Sequence, residues 1–261
     1  MTPFQEKYGP WALVTGASSG IGAEFAKQLA ERGLNLVLLA RRKERLERLA
    51  GQLANRHTVR VETIVADLSR PDFMSLVYPV IRTREIGLLV NNAGFGIGGD
   101  FLEHDLQREI ALLDVNCRAP LILAHEIGRQ MTERRHGGII FVSSVSAYMA
   151  TPFEASYAAS KAYELFLAES LWYELKQQGV DVLAHCPGST VTEFHEVAGT
   201  REFAAMPVEP VVALALKKLG KKQSVITGWH NRLLVALTKI APRRMITMLA
   251  GKVIDNLRRT S

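Results

Sequence analysis

The sequence predicts an α/β fold, a doubly wound parallel sheet of about seven strands flanked by helices. Three observations carry that expectation. Short apolar runs alternate with longer segments of helical period along most of the 261 residues. The runs are apolar at consecutive positions, as in Leu36-Val37-Leu38-Leu39, which fits strands covered on both faces. A glycine-rich turn follows the first run, at the end of the sheet where such folds bind their ligands.

In chain order, strands are expected over residues 12–15, 34–40, 59–65, 88–91, 139–143, 180–185 and 224–227. Helices are expected over 20–31, 43–55, 71–84, 106–135, 154–178 and 208–219. Right-handed crossovers between such strands give a single sheet with helices on both faces. Beyond the last strand, Leu233, Leu234 and Leu237, then Met245, Leu249, Val253 and Leu257, recur at helical spacing. Pro242 divides them into two short amphipathic helices. Nothing resembles a linker, a repeat or a low-complexity tract, so residues 1–261 are expected to form one domain with 229–261 as an amphipathic extension.

Composition narrows the function. Hydrophobic residues make up 48% and charged residues 22%, which excludes global disorder. The first ten residues have no apolar core of the secretory type. No run approaches the roughly 18 apolar residues of a membrane span, so a cytoplasmic protein is expected. Cys117 and Cys186 each stand alone in an apolar segment, as buried reduced thiols do, and no Cys/His cluster offers a metal site. The net charge of +6 is spread along helical segments without a reading motif, so no nucleic acid is expected.

The first turn reads Thr15-Gly16-Ala17-Ser18-Ser19-Gly20-Ile21-Gly22. Glycines there let the backbone turn tightly, and a pyrophosphate can approach the amides that open the next helix. Gly16, Ser18, Ser19, Gly20, Ile21 and Gly22 are therefore candidate dinucleotide contacts. The second strand ends in Ala40-Arg41-Arg42, without the acid that would bind a ribose 2′-hydroxyl. The two arginines can begin a solvated helix, yet a missing acid beside a present base favours Arg41 on a 2′-phosphate, and so NADP(H). Asp67, after the third strand, either reads an adenine amino group or caps a helix starting at Pro71.

Tyr157 and Lys161 are four residues apart, which puts both on one helix face. A tyrosine with a pKa of about 10 transfers protons at neutral pH only if a cation stabilises its phenolate, and three units require about 4 kcal/mol. Ser144 closes an apolar strand and can hydrogen-bond a carbonyl oxygen as charge develops on it. Asn92-Ala93-Gly94 follows the fourth strand, where its backbone can line a cofactor. Asn116 lies in a mostly apolar helix and needs partners, and one useful role is holding a water next to Lys161.

In this order and spacing, over roughly residues 9–228, the motifs resemble the short-chain dehydrogenase/reductase family. The resemblance implies a Rossmann fold and hydride transfer between NADP(H) and a carbonyl or alcohol. It implies that Tyr157 is the general acid in reduction, Lys161 its partner and a ribose contact, Ser144 the carbonyl-polarising group, and Asn116 the support of a proton relay. Pro187, Gly188, Thr190 and Thr192 lie in a turn similar to the family's nicotinamide cradle, with Thr192 at the carboxamide position. A homodimer or homotetramer is implied as well. A non-catalytic NADP(H)-binding regulator is the competing reading, but such a protein should have lost the tyrosine or the lysine.

Residues 193–207 mix Phe194, Val197, Phe203 and Met206 with polar residues, as a lid over a hydrophobic substrate does and as ordinary helix packing also does. Lys239, Arg243, Arg244, Lys252, Arg258 and Arg259 accompany the C-terminal apolar rows. That segment is expected to wall the cleft or pack on a subunit, ahead of lying on an anionic membrane surface.

Overall fold

The computed structural model describes residues 2–200 and 205–259; Phe203 and the side chains of Leu257, Arg258 and Arg259 lie outside the described residues. The apolar runs fold as β1 (Trp11–Thr15), β2 (Asn35–Ala40), β3 (Val61–Val65), β4 (Ile86–Asn91), β5 (Gly137–Val142), β6 (Val180–Cys186) and β7 (Ser224–Ile226). They pair in parallel in the spatial order β3-β2-β1-β4-β5-β6-β7. The order reverses between β1 and β4, and connections leaving those two strands diverge to open a cleft at their carboxyl ends.

Continuous apolarity in the strands has its cause in two cores. Leu13, Leu39, Leu89 and Phe141 face one layer, built on α4 (Met74–Ile81), α6 (Ala119–Arg134) and α7 (Ala155–Lys176). Val14, Leu38, Val90 and Val142 face the other, built on α2 (Gly20–Glu31), α3 (Lys43–Arg56) and α9 (Val208–Lys218). Alternate residues of the inner strands therefore point into different layers, and only the β3 edge leaves side chains such as Thr63 and Val65 in water.

Four departures from the expected elements have local causes. Residues 106–135 are not one helix: α5 (Leu106–Leu113) is separated from α6 by a widened, π-type turn over Asp114–Arg118. Pro120 has no N–H for the carbonyl of Asn116, so the regular ladder cannot run through. The helix expected over 71–84 is only α4, and Asp67 lies in a turn of its own before it, accepting from Ser69 N at 3.0 Å and Ser69 Oγ at 2.8 Å. Asp67 therefore caps no helix. A short α1 (Pro3–Tyr8) precedes β1, capped by Thr2 Oγ1 accepting from Gln5 N. Its Tyr8 donates to Asp181 Oδ2 at 2.7 Å, and Lys7 pairs with the same oxygen at 2.6 Å, closing the floor of the sheet. The fourth is α8 (Phe194–Ala198), a single turn beside the cleft.

The division at Pro242 stands: α10 (Trp229–Ile240) ends before it and α11 (Arg243–Arg259) follows. Asn231 of α10 donates to Thr227 O at 2.7 Å and lies against Gly188, while Gly251 of α11 approaches Pro152. No helix among the described residues is long and apolar enough to cross a membrane.

Candidate active site

Thr15 ties the two strands at the switch point together. Its hydroxyl donates to Val90 O and accepts from Asn92 N and Ala93 N at 2.9 Å, while Asn92 Nδ2 donates to Thr15 O at 2.9 Å. The glycine turn is pressed against this knot. Gly16 has φ +65°, and a Cβ on it would come within 2.8 Å of Asn92 Nδ2. Gly22 is buried between that amide and the carbonyl of Gly16, with no space for a side chain. The turn is thus a backbone cradle at the start of α2, suited to a phosphate.

A cleft of about 390 Å³ runs from this cradle over the ends of β4 and β5 to α7. Of the residues singled out in the sequence, Gly16, Ser18, Ser19, Gly20, Ile21, Arg41, Asp67, Asn92, Ala93 and Gly94 line it. So do Ser144, Tyr157, Lys161, Pro187, Gly188, Thr190 and Thr192. Gly22 and Asn116 do not line it; they stand behind the wall.

At the far end, β5 delivers Ser143 and Ser144. Ser143 Oγ donates to Lys161 O at 2.7 Å and so fixes α7 to the strand end. Ser144 is hydrogen-bonded to Tyr157 and also accepts from Ser146 N at 3.1 Å. Tyr157 and Lys161 are both buried, with Lys161 Nζ 5.9 Å from the centre of the tyrosine ring. Burial pushes the Tyr157 phenol up; Lys161 and Ser144 pull it back, and Glu154 and Glu164 add to the rise. Burial works to lower Lys161, and the Glu164 carboxylate beside it, together with Tyr157 and Cys117, more than reverses that.

The widened turn before α6 swings Asn116 fully inward. Its Nδ2 donates to Phe95 O and Ser160 Oγ, both at 3.0 Å, and its Oδ1 accepts from Phe95 N at 3.1 Å. Asn116 therefore pins the loop after β4 to the helix that carries Tyr157 and Lys161.

Residues 10–202 match the family model described as short chain dehydrogenase. The chain belongs to the short-chain dehydrogenases. A 7beta-hydroxysteroid dehydrogenase of Clostridium sardiniense is 31% identical over 258 residues, covering 97% of this chain and 99% of that protein. A solved structure concerned with 7beta-hydroxysteroid dehydrogenase stereoselectivity superposes with a TM-score of 0.89 at 28% identity, covering 95% of this chain and 99% of the other. A short-chain dehydrogenase from Sphingobium yanoikuyae in complex with NADPH superposes with a TM-score of 0.79 at 34% identity, over 90% and 97% of the two chains.

Arg42, Glu193 and His195, none of them singled out as a site residue in the sequence, also line the cleft of this short-chain dehydrogenase. Arg41 is largely exposed, 4.0 Å from Asp67 Oδ2. Arg42 is the arginine that reaches the glycine turn, donating to Ser18 Oγ at 3.2 Å and Ser19 Oγ at 2.6 Å. The same guanidinium pairs with Glu193 at 2.6 Å, and Arg45 pairs with the other oxygen of Glu193. Hydrogen bonds from Arg42 and Arg45 hold the Glu193 carboxyl below its usual range. Next to Glu193, the Phe194 ring lies 5.2 Å from that of Tyr157. His195 accepts or donates to Ser189 at 2.9 Å and Thr200 at 3.0 Å, which anchors α8 across the mouth. An acid between two arginines, 148 and 151 residues distant in sequence, leaves no local signal to read.

Proposed function

We propose that this short-chain dehydrogenase is an NADP(H)-dependent oxidoreductase that moves hydride between nicotinamide and a hydrophobic carbonyl or alcohol, with Tyr157 as proton donor in reduction. The convergence of Ser144, Tyr157 and Lys161 on one end of a cleft whose other end is a glycine cradle carries this reading. The chain is an enzyme of the dehydrogenase/reductase type, and a relative solved with NADPH supports the choice of cofactor.

The cradle from Gly16 to Gly22 would hold the pyrophosphate on the start of α2. Ser18, Ser19, Arg41 and Arg42 would surround the 2′-phosphate, with Arg42 making the principal charge-assisted contacts and Asp67 beside the adenine. Asn92, Ala93 and Gly94 would line the ribose side; Pro187, Gly188, Thr190 and Thr192 would cradle the nicotinamide. The bound cofactor supplies the hydride. Ser144 donates to the substrate oxygen, Tyr157 gives that oxygen its proton, and Lys161 contacts the ribose and orients the tyrosine. Asn116 spends both amide protons and one acceptor lone pair on protein, which leaves the other lone pair for a relay water.

The substrate reading follows the mouth of the cleft, where Phe95, Phe194 and Val197 gather. Two relatives named for 7beta-hydroxysteroids support a bulky, mostly apolar alcohol or ketone. A panel of aliphatic, aromatic and steroidal ketones, followed by loss of NADPH absorbance, tests it. Tyr157→Phe should lower kcat at least 100-fold while cofactor binding stays near normal. A folded variant that keeps most of its turnover would remove the mechanism.

The assembly is read from exposed apolar side chains on the outer helices, Ile110 and Leu113 on α5 and Phe166 and Tyr173 on α7. These faces pack on a two-fold copy, giving a homodimer or homotetramer. Light scattering at micromolar concentration should report more than one chain per particle; a monomer contradicts it.

A further inference from the structure

The chain carries its charge unevenly. Residues 229–261 hold seven of the 32 lysines and arginines but only one of the 26 acids, Asp255. Residues 1–228 hold acids and bases in equal number, so the whole formal charge of +6 belongs to the C-terminal segment.

Its two helices turn only one side to the body. On α10, Asn231, Val235 and Thr238 are the least exposed and face inward. On the opposite side Trp229, Leu233, Leu237 and Ile240 form a stripe, each more than half exposed. Spacings of four, four and three residues keep them in line over about 16 Å of helix. On α11, Gly251 meets Pro152, while Met245, Leu249 and Val253 recur every four residues on an exposed flank. Pro242, Met245, Met248 and Leu249 shape a shallow groove of about 320 Å³, with Arg244 and Lys252 in its wall. Single exposed apolar residues are ordinary; contiguous rows of them mark a surface that meets something other than water.

We propose that the outer side of α10 and α11 binds the surface of an anionic phospholipid bilayer, with the apolar rows among the acyl chains and the basic side chains at the headgroups. Neither helix is long and apolar enough to cross a membrane, so both lie in the interface. Lysine and arginine stems are long enough to cover apolar surface while their charges stay at the phosphates.

Charge selects this occupant over the others. A second copy on the same face would bring two segments of like charge together, with one acid in each to offset seven bases. A nucleic acid would match the cations and leave the apolar rows in water. An anionic bilayer meets both at one surface. Apolar periodicity alone fits a wall of the cleft equally well; the rows, however, face away from it. The inner residues of the same helices reach Gly188 and Pro152, so the bilayer lies one helix diameter, about 10 Å, from the catalytic end of the cleft.

Flotation of the full chain with lipid vesicles tests the proposal. Vesicles of mixed phosphatidylglycerol and phosphatidylcholine should bind it at least about tenfold more tightly than phosphatidylcholine alone, and lose that margin in high salt. Leu233→Glu with Leu237→Glu, and separately Arg243→Glu with Arg244→Glu, should each weaken binding at least about tenfold. All four side chains are exposed, and an unchanged Tm identifies a folded variant; if one pair fails to fold, the other decides. Trp229 emission, read as the difference between the parent and Trp229→Phe, should shift to the blue on anionic vesicles and be quenched by brominated acyl chains. Absence of binding to anionic vesicles at low salt overturns the proposal, as does a folded variant that binds like the parent. Binding without the Trp229 shift places the contact elsewhere and overturns it too. If Leu233→Glu with Leu237→Glu instead scatters light as a smaller particle than the parent, the stripe is a subunit contact and the bilayer is not its occupant.

Discussion

At the phosphate end of the cleft, the Arg42, Arg45 and Glu193 side chains keep 40%, 46% and 39% of their surface in water. At the other end, Lys161 and Glu164 keep 5% and 1%. Both clusters are ion pairs, yet their surroundings give them different uses. A water-exposed pair is worth roughly 0–1 kcal/mol and is screened by salt, so the Arg42–Glu193 pair can open at little cost. A buried pair cannot exchange partners without stranding a charge, so it fixes geometry. One end can change partners and the other holds still.

The largest test of that contrast removes one partner at each end. Lys161→Met leaves Glu164 buried and unpaired, and should lower unfolding free energy by about 3 kcal/mol or more. Arg45→Met should cost less than about 1 kcal/mol, because Glu193 remains solvated and paired with Arg42. Urea denaturation of the two variants measures both, and equal losses would erase the distinction.

His185 sharpens the contrast from a third position. It is wholly buried on β6, with Nε2 3.1 Å from Thr227 Oγ1, and burial depresses its pKa to about 3. The unfolded chain takes up this proton near pH 6.5 and the folded one does not, so stability falls as pH drops below 6.5 toward 3. Between pH 6.5 and 4.5 that amounts to about 2–3 kcal/mol, which His185→Gln should remove from the difference between the two pH values. If the acid sensitivity of the two proteins is the same, the histidine is not held neutral.

The smallest expected effect concerns the cofactor. Arg42→Ala should weaken NADPH binding about tenfold, or about 1.4 kcal/mol, and leave NADH nearly unchanged. Arg41→Ala should do less, because its side chain is more exposed and faces Asp67. Fluorescence titration at low and high salt measures this; a larger loss from Arg41 would return the 2′-phosphate to that residue.

Much of this was legible in the sequence because the chemistry is local. Gly16 and Gly22 mark a turn that no larger residue fits, and Tyr157 and Lys161 meet because a helix repeats every 3.6 residues. The break in the long helix was also written there, in Pro120, but apolar periodicity on both sides of it argued for continuity. That Arg42 rather than Arg41 reaches the serines of the glycine turn was not legible, since it depends on how the chain turns after β2. Glu164 left a signal that went unread, an acid three residues from Lys161 on the same helix face. The one-turn α8 is too short for any periodic pattern to announce it.

The floor of the sheet has a consequence for how the molecule is made. Tyr8 and Asp181, joined by a hydrogen bond, are 173 residues apart in the chain. A ribosome delivers Tyr8 long before β6, so during synthesis α1 has no partner for its phenol, and β1 waits with one edge bare until β4 arrives. Contacts of such long range close slowly. The link between this early helix and β6 therefore cannot close until most of the sheet has been made, and it joins segments that leave the ribosome far apart in time.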